Sequence, residues 1–259
     1  MSAALEIEGL VAGYGFGDVL RGVDLRLEPG TVTCIVGPNG AGKSTVLKAV
    51  SGLLKPTNGS IALDGQPLTG VSPRRVLEAG IVHVPQERSL FPLMTVLENV
   101  LVGGHVLGDR RLARRRAEAI AERFPLVRER RHSRAGSLSG GEQKIVEIAR
   151  SLMLEPRLIL MDEPSMGLDP RARALVFETV TRLNREQGHT VLLVEQNARA
   201  GLRIAHRAAV MDGGVVALAG DAAGMLEDPK VAELYLGGHV RSSPAAAPSA
   251  PARSRSSTG

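Results

Sequence analysis

Apolar residues recur along this chain in three rhythms, and each predicts a different element. Over residues 5–35 they alternate with polar ones, in "LEIEGLVAGYG" and again in "VDLRLEPGTVTCIVG". That period of two is the mark of half-buried strands. Within it "TVTCIV" is almost continuously apolar, which predicts a strand covered on both faces. It ends at Gly37 and opens a glycine-rich loop, and "KSTVLKAVSGLL" then reads as a helix. "GSIALDGQ" (59–66) predicts a hairpin, and "GIVHVPQ" (80–86) a strand that ends in a polar residue.

From residue 95 to 132 the spacing changes to three and four. "TVLENVLVGG" and "RRLARRRAEAIAERFPLV" put apolar residues on one helical face with charges between them. The change predicts a helical subdomain, about 88–153, inserted in a sheet domain. Strands resume at "RLILMDEP" (157–164), "HTVLLVEQ" (189–196) and "AAVMDGGVVALAG" (208–220), with helical patterns such as 170–187 between them. Strands alternating with helices predict an α/β fold, a parallel sheet with helices on both faces.

Composition narrows the picture. The 259 residues are 43% hydrophobic and 23% charged, suited to one large globular domain or a domain with a subdomain. No apolar run approaches the ~18 residues of a membrane span, and "MSAALEIEGL" lacks a basic segment leading into an apolar one. A cytosolic location is expected. The single cysteine, Cys34, lies in an apolar run and is expected to be a small core residue, with no disulfide framework or metal cluster.

The net charge of +5 is unevenly placed. Residues 110–134 carry ten arginines against three glutamates, and residues 241–259 carry three arginines and no acid. The remainder is net negative. With 2% aromatics and no aromatic-interleaved basic patch, nucleic acid is not an expected partner. The arginine run most simply makes a solvated helix face. The end, "RSSPAAAPSAPARSRSSTG" (241–259), has too few apolar groups to offset ordering entropy, and 239–259 is expected to be a disordered tail.

Three motifs carry chemistry. "GPNGAGKST", residues 37–45, fits G-x-x-x-x-G-K-[ST]. Gly37, Gly40 and Gly42 allow backbone that turns N–H groups of Pro38's neighbours Asn39, Gly40 and Ala41 inward, and the helix start adds a positive dipole end. Lys43 reaches β- and γ-phosphates, Ser44 holds Mg²⁺, and Thr45 closes the motif. A glycine turn before an ordinary helix is the alternative, but the loop follows a buried strand and opens a helix, as a phosphate loop must.

"LILMDEP" puts Asp162 and Glu163 together at an apolar strand's end, costly without a partner or a task. Asp162 suits Mg²⁺, and Glu163 suits an attacking water; a helix-capping pair is the bland alternative. "LSGGEQ", comprising Leu138, Ser139, Gly140, Gly141, Glu142 and Gln143, opens a helix. It offers a hydroxyl, N–H groups and a dipole to an anion. Capping by Ser139 accounts for the serine, not for two successive glycines, which are poor helix formers.

With these motifs the chain, over about residues 5–238, resembles the nucleotide-binding subunits of ABC transporters. The resemblance implies a P-loop NTPase (RecA-like) core with an N-terminal antiparallel β subdomain and an inserted α-helical one. It implies ATP hydrolysis with Mg²⁺, and a head-to-tail dimer in which residues 138–143 face the nucleotide of the opposite subunit. It implies that Tyr14 stacks on adenine, that Gln86 touches Mg²⁺ and water, and that Asp169 communicates across the dimer. "VPQERSLFPLMTVLENV", "LSGGEQ", "VEQNA" and "LYLGG" resemble the second ATPase subunit of Liv-type branched-chain amino-acid importers. That implies membrane permeases, a second ATPase subunit, an extracytoplasmic solute-binding protein as indirect partner, and a place on the cytoplasmic face of the membrane. Urea or short-chain amide importers share the pattern, and a soluble ABC ATPase, an exporter ATPase or an inactive binding subunit would share parts of it.

In the family a histidine usually stands where this chain has Gln196. A glutamine still donates an amide hydrogen bond to a γ-phosphate, but it does not exchange a proton near neutral pH. Gln196 is therefore expected to position, and Glu163 to do any proton-related work.

Overall fold

The computed structural model describes residues 4–228. The expected disordered tail, 239–259, and the end of the expected ATPase domain, 229–238, lie outside the described residues.

Two sheets form. Strands β1 (Leu5–Gly13) and β2 (Asp18–Leu27) pair antiparallel. β3 (Val32–Val36) follows, then helix α1 (Lys43–Val50). β4 (Asn58–Leu63) and the short β5 (Gln66–Pro67) return to the first sheet, whose order is β2-β1-β4-β5 with antiparallel pairing throughout. After α2 (Pro73–Glu78) comes β6 (Ile81–Val84).

Helices α3 (Val96–Val102), α4 (Arg110–Arg123), α5 (Pro125–Glu129) and α6 (Gly140–Ser151) then interrupt the sheet before β7 (Leu158–Asp162). Helix α7 (Pro170–Gln187), β8 (Thr190–Val194), α8 (Ala198–Ile204), β9 (Arg207–Asp212), β10 (Val215–Asp221) and α9 (Ala222–Glu227) complete the order.

The second sheet runs β10-β9-β3-β8-β7-β6. Its five strands from β9 to β6 are parallel, as the strand–helix alternation predicts. β10 departs from that expectation: it is antiparallel to β9. The apolar run 208–220 is two strands, folded at Gly213 and Gly214, both at positive φ. Two consecutive residues at positive φ make the tight hairpin turn that suits the sheet's twist, and glycine takes it without steric cost.

The parallel strands are buried on both faces. Cys34, Ile159, Met161, Val191 and Leu193 face one core with α6, α7 and α8. Ile35, Leu158, Leu160, Leu192 and Val194 face a second core, between the two sheets, that also takes Val46, Leu47 and Val50 of α1. Alternation along each strand divides these residues, and each fully buried Leu, Ile or Val is worth roughly 1.5–3 kcal/mol. Cys34 is buried, and burial raises its thiol far above the ordinary value, so it is an inert core residue.

The inserted helices start at sequence-encoded caps. Thr95 with Glu98 opens α3, Ser139 with Glu142 opens α6, and Asp109 caps α4. Part of the arginine charge is paired: Arg116 with Glu155 and Arg131 with Glu118, both at 2.6 Å. Among the described residues no helix is long and apolar enough to cross a membrane.

Candidate active site

The carboxyl ends of β3, β6, β7 and β8 lie at one edge of the parallel sheet, where open α/β sheets hold ligands. Each contributes one part. From β3 the chain runs into the glycine loop. A Cβ at Gly37 would lie 2.2 Å from the Met211 carbonyl oxygen, and one at Gly42 would lie 2.8 Å from Leu20 Cδ2 with φ at +98°. Both positions therefore demand glycine. Ala41 is buried, its N–H bonded to the Pro38 carbonyl. α1 begins at Lys43, with Gly42 as its cap.

Lys43 is 5% exposed. Its Nζ donates to the carbonyls of Gly37 (3.0 Å) and Pro38 (3.1 Å) and stands 3.9 Å from Glu163 Oε1. The Ser44 hydroxyl donates to Asp162 Oδ1 at 2.8 Å. Asp162 ends β7 opposite Val194 of β8. Glu163 follows at φ +42°, its N–H held by the Val194 carbonyl. A non-glycine residue there is strained, a feature that collects at functional sites.

Gln86, two residues beyond β6, brings Nε2 to 3.2 Å from Glu163 Oε2 and 2.9 Å from Met166 Sδ. Its amide nitrogen thus faces the carboxylate, and a metal contact would use the amide oxygen. Gln196, two residues beyond β8, reaches the same cleft of about 490 Å³. Tyr14, Asn39, Gly40, Thr45 and Val19 complete the wall. The Tyr14 ring is half exposed, its hydroxyl 3.4 Å from Thr45 Oγ1 and its face 5.4 Å from Lys48 Nζ. An exposed ring at the mouth suits stacking on a base.

Burial raises the Glu163 pKa above the ordinary carboxylate value; Lys43 opposes the rise and neighbouring Asp162 adds to it. A carboxylate held closer to neutrality is suited to receive a proton. The Ser44 hydroxyl and Asp162 carboxylate present oxygen donors only, which fits a hard cation such as Mg²⁺. Among the described residues no three or more His, Cys, Asp or Glu side chains gather as a metal cage. Mg²⁺ commonly takes one or two carboxylates and leaves the remaining positions to phosphates and water.

The "LSGGEQ" residues do not line this cleft. Ser139 caps α6 and its hydroxyl accepts from Glu142 N, while Glu142 Oε2 accepts from Ser139 N. Gln143 Nε2 donates to the carbonyls of Ala135 and Leu138, and the Leu138 side chain is buried. A Cβ on Gly141 would lie 2.6 Å from the Ala172 Cβ. Leu138, Glu142 and Gln143 thus build the helix start, and the exposed Ser139 and partly exposed Gly140 face outward. Asp169 caps α7 by accepting from Arg171 N and Ala172 N, and these bonds hold its pKa down.

Sequence reasoning did not place Glu195. It is 1% exposed behind the cleft and accepts from Ser165 N (3.2 Å) and Ser165 Oγ (3.0 Å). It ties the turn after Glu163 to the strand end that carries Gln196. An acid immediately after four apolar strand residues was the available signal. His206 lies between α8 and β9, and its Nδ1 accepts from Val32 N.

Comparison with known proteins agrees with this geometry. The family model described as "ABC transporter" matches residues 20–166. The chain is 40% identical over 225 residues to the high-affinity branched-chain amino acid transport ATP-binding protein BraG of Pseudomonas aeruginosa, covering 87% of this chain and 96% of that one. It is 36% identical over 238 residues to the lipopolysaccharide export system ATP-binding protein LptB of Acidithiobacillus ferridurans, covering 92% and 98%. Among solved structures it is similar to a dimeric post-hydrolysis ATP-binding cassette bound to ADP and Pi, with TM-score 0.73, 28% identity and coverage of 84% and 98%. With a phosphate loop, a paired-acid strand end and an LSGGEQ helix on one α/β frame, the chain belongs to the ABC transporter family of ATP-binding proteins.

Proposed function

We propose that this chain is the ATP-hydrolysing subunit of an importer of branched-chain amino acids, acting as a dimer on membrane permeases. The observation that carries the chemistry is the convergence of Lys43, Ser44, Glu163, Gln86 and Gln196 on one cleft, with buried Asp162 bonded to the Ser44 hydroxyl behind it. ATP and water give ADP and phosphate. Phosphoryl transfer needs positioning and charge stabilisation above all. Lys43 and the loop amides would face the β- and γ-phosphates, Ser44, Asp162 and Gln86 would hold Mg²⁺, which would neutralise phosphate charge, Glu163 would align water, and Gln196 would donate to the γ-phosphate. Tyr14 stacks on the adenine. The second half of each site comes from the other subunit, through Ser139, Gly140 and Gly141, with Asp169 at the junction.

The likeness to BraG supports the amino-acid substrate. A cytoplasmic-face location and an extracytoplasmic solute-binding protein as indirect partner follow from the same reading. Nucleic acid has no place in it. For the permease, the reading uses the hollow of about 560 Å³ between α3 and α4, lined by Met94, Leu101, Val102 and Ala113. Phe91 and Leu93, 50% and 80% exposed, form an apolar rim close by in sequence. The likeness to LptB keeps an exporter's ATPase as the second reading, and identifying the co-purifying permease separates the two.

The test of the chemistry is Glu163→Gln. The variant is expected to bind ATP, to turn over at least a hundredfold more slowly, and to accumulate as an ATP-bound dimer in size-exclusion chromatography. Rapid turnover by the variant removes Glu163 from its role.

A further inference from the structure

Three charged residues on one face of α6 grip the segment from Pro85 to Ser89, which carries Gln86. Lys144 Nζ donates to the Pro85 carbonyl at 3.1 Å and lies 2.5 Å from Glu147 Oε2. Glu147 Oε1 accepts from Ser89 N at 2.6 Å and from Ser89 Oγ at 3.1 Å. Arg150 donates to the Ser89 carbonyl at 2.8 Å and to the Ser89 hydroxyl. Every polar group of Ser89 is thus held by α6. Spaced three apart, these side chains share one helix face. Lys144 is 7% exposed and Glu147 2%. Burying such charges is costly, and apolar residues of similar volume often stabilise a fold as well or better. Stability alone does not call for this arrangement.

Its position supplies a reason. α6 begins with the signature, and the gripped segment contains Gln86, whose amide meets Glu163. The same helix therefore holds Ser139 and Gly140 at its start and Ser89 on its flank. On the other flank of the segment, Phe91 N donates to Asn99 Oδ1 and the Phe91 carbonyl accepts from Asn99 Nδ2, and Asn99 is fully buried in α3. The loop from 85 to 91 has little freedom to move without α6.

We propose that Glu147, with Lys144 and Arg150, is a positioning device that makes the Gln86 segment and the signature move as one body. In the ATPase reading, this cluster is the physical link by which nucleotide at Gln86 and Glu163 in one cleft reaches the signature that serves the opposite cleft. This rests on the ATPase reading above. None of the three residues touches the reacting atoms.

The test compares the full-length wild type with Lys144→Met/Glu147→Leu, which removes the ion pair and keeps apolar volume, and with Glu147→Asp, which keeps the carboxylate. Amide hydrogen exchange is measured with and without MgATP at a dilution at which size-exclusion chromatography shows the chain to be monomeric. In the wild type, segments 86–90 and 139–143 respond together. In the double variant the response at 86–90 remains and that at 139–143 is lost. Its kcat falls at least tenfold while the monomer's MgATP affinity stays within twofold, and Glu147→Asp regains at least a third of wild-type kcat. A merely structural role would lower affinity and rate together and would not uncouple two segments. If the double variant does not fold, Ser89→Ala, which removes only hydroxyl contacts, is expected to lower kcat at least threefold with affinity unchanged. Concerted exchange in the double variant, or unchanged kcat, overturns the proposal. Failure of Glu163→Gln to form an ATP-bound dimer would overturn the dimer reading instead, because the exchange response is read within one chain.

Discussion

The buried Glu195 offers a way to separate a hydrogen bond from a charge. Glu195→Ala deletes the acceptor of both the Ser165 amide and the Ser165 hydroxyl, at a place where Ser165 is 3% and Glu195 1% exposed. An unmade buried bond costs roughly 1–3 kcal/mol per donor. The hydroxyl can turn to another acceptor and the amide cannot, so the net loss is about 2–4 kcal/mol, a fall in Tm of about 4–16 °C. Glu195→Gln behaves differently. Its Oε1 still accepts from the Ser165 amide, and its Nε2 donates to a Ser165 hydroxyl turned to accept.

What the glutamine removes is the buried charge. Desolvation raises the Glu195 pKa above the ordinary 4.5, with the bonds from Ser165 and Asn197 opposing it and Glu163 adding to it. A carboxyl raised on folding contributes stability that is fully present below about 4.5 and lost as pH rises through the folded value. Glu195→Gln is therefore at least as stable as the wild type at pH 7.5, and its advantage disappears at pH 4. Urea denaturation followed by circular dichroism at both pH values reads all three proteins. An alanine variant within about 0.5 kcal/mol of wild type would refute the bond accounting. A glutamine variant as weak as the alanine one would refute the separation of bond from charge.

Two further outcomes test the cleft itself. Gln196→Ala removes one hydrogen bond to a charged phosphate oxygen, worth about 1.5–3 kcal/mol, so kcat of the assembled transporter is expected to fall roughly tenfold to 150-fold; unchanged hydrolysis would end its positioning role. Gly42→Ala puts a methyl 2.8 Å from Leu20 Cδ2 at a φ of +98°. A loss of about 1–3 kcal/mol in stability and weakened binding of a fluorescent ATP analogue are expected, and wild-type values for both would show that the loop relaxes freely.

The parts of this protein legible in its sequence are those written by local periodicity and local backbone demand. Continuous apolar runs place β3, β7 and β8, because strands buried on both faces need them. Residues 37–45 are legible because the loop's glycines answer backbone crowding, such as Met211 beside Gly37, with the one residue type that fits. The 208–220 run misleads because a Gly-Gly turn inside an apolar stretch resembles one strand until the partner is known. Glu195, Lys144 and Glu147 escape notice for a different reason. Their partners, Ser165, Pro85 and Ser89, lie 30 to 59 residues away in sequence, and no local pattern states a long-range pairing.

The neutral residue at 196 gains its meaning from the charges around it. Asp162, Glu163 and Glu195 are all buried at adjoining strand ends, and the buried Lys43, first residue of α1, stands 3.9 Å from Glu163. Lys43 opposes the rise at Glu163, Asp162 adds to it, and Glu163 in turn adds to the rise at Glu195. A histidine at 196 would add a group that titrates near neutral pH. A glutamine adds none, so the protonation state of the cleft is left to its carboxylates. In the ATPase reading, Lys43 would exchange Glu163 for a phosphate as nucleotide binds, and Mg²⁺ at Asp162 would bring its own positive charge beside Glu163; the balance of the two sets how readily Glu163 takes a proton from water.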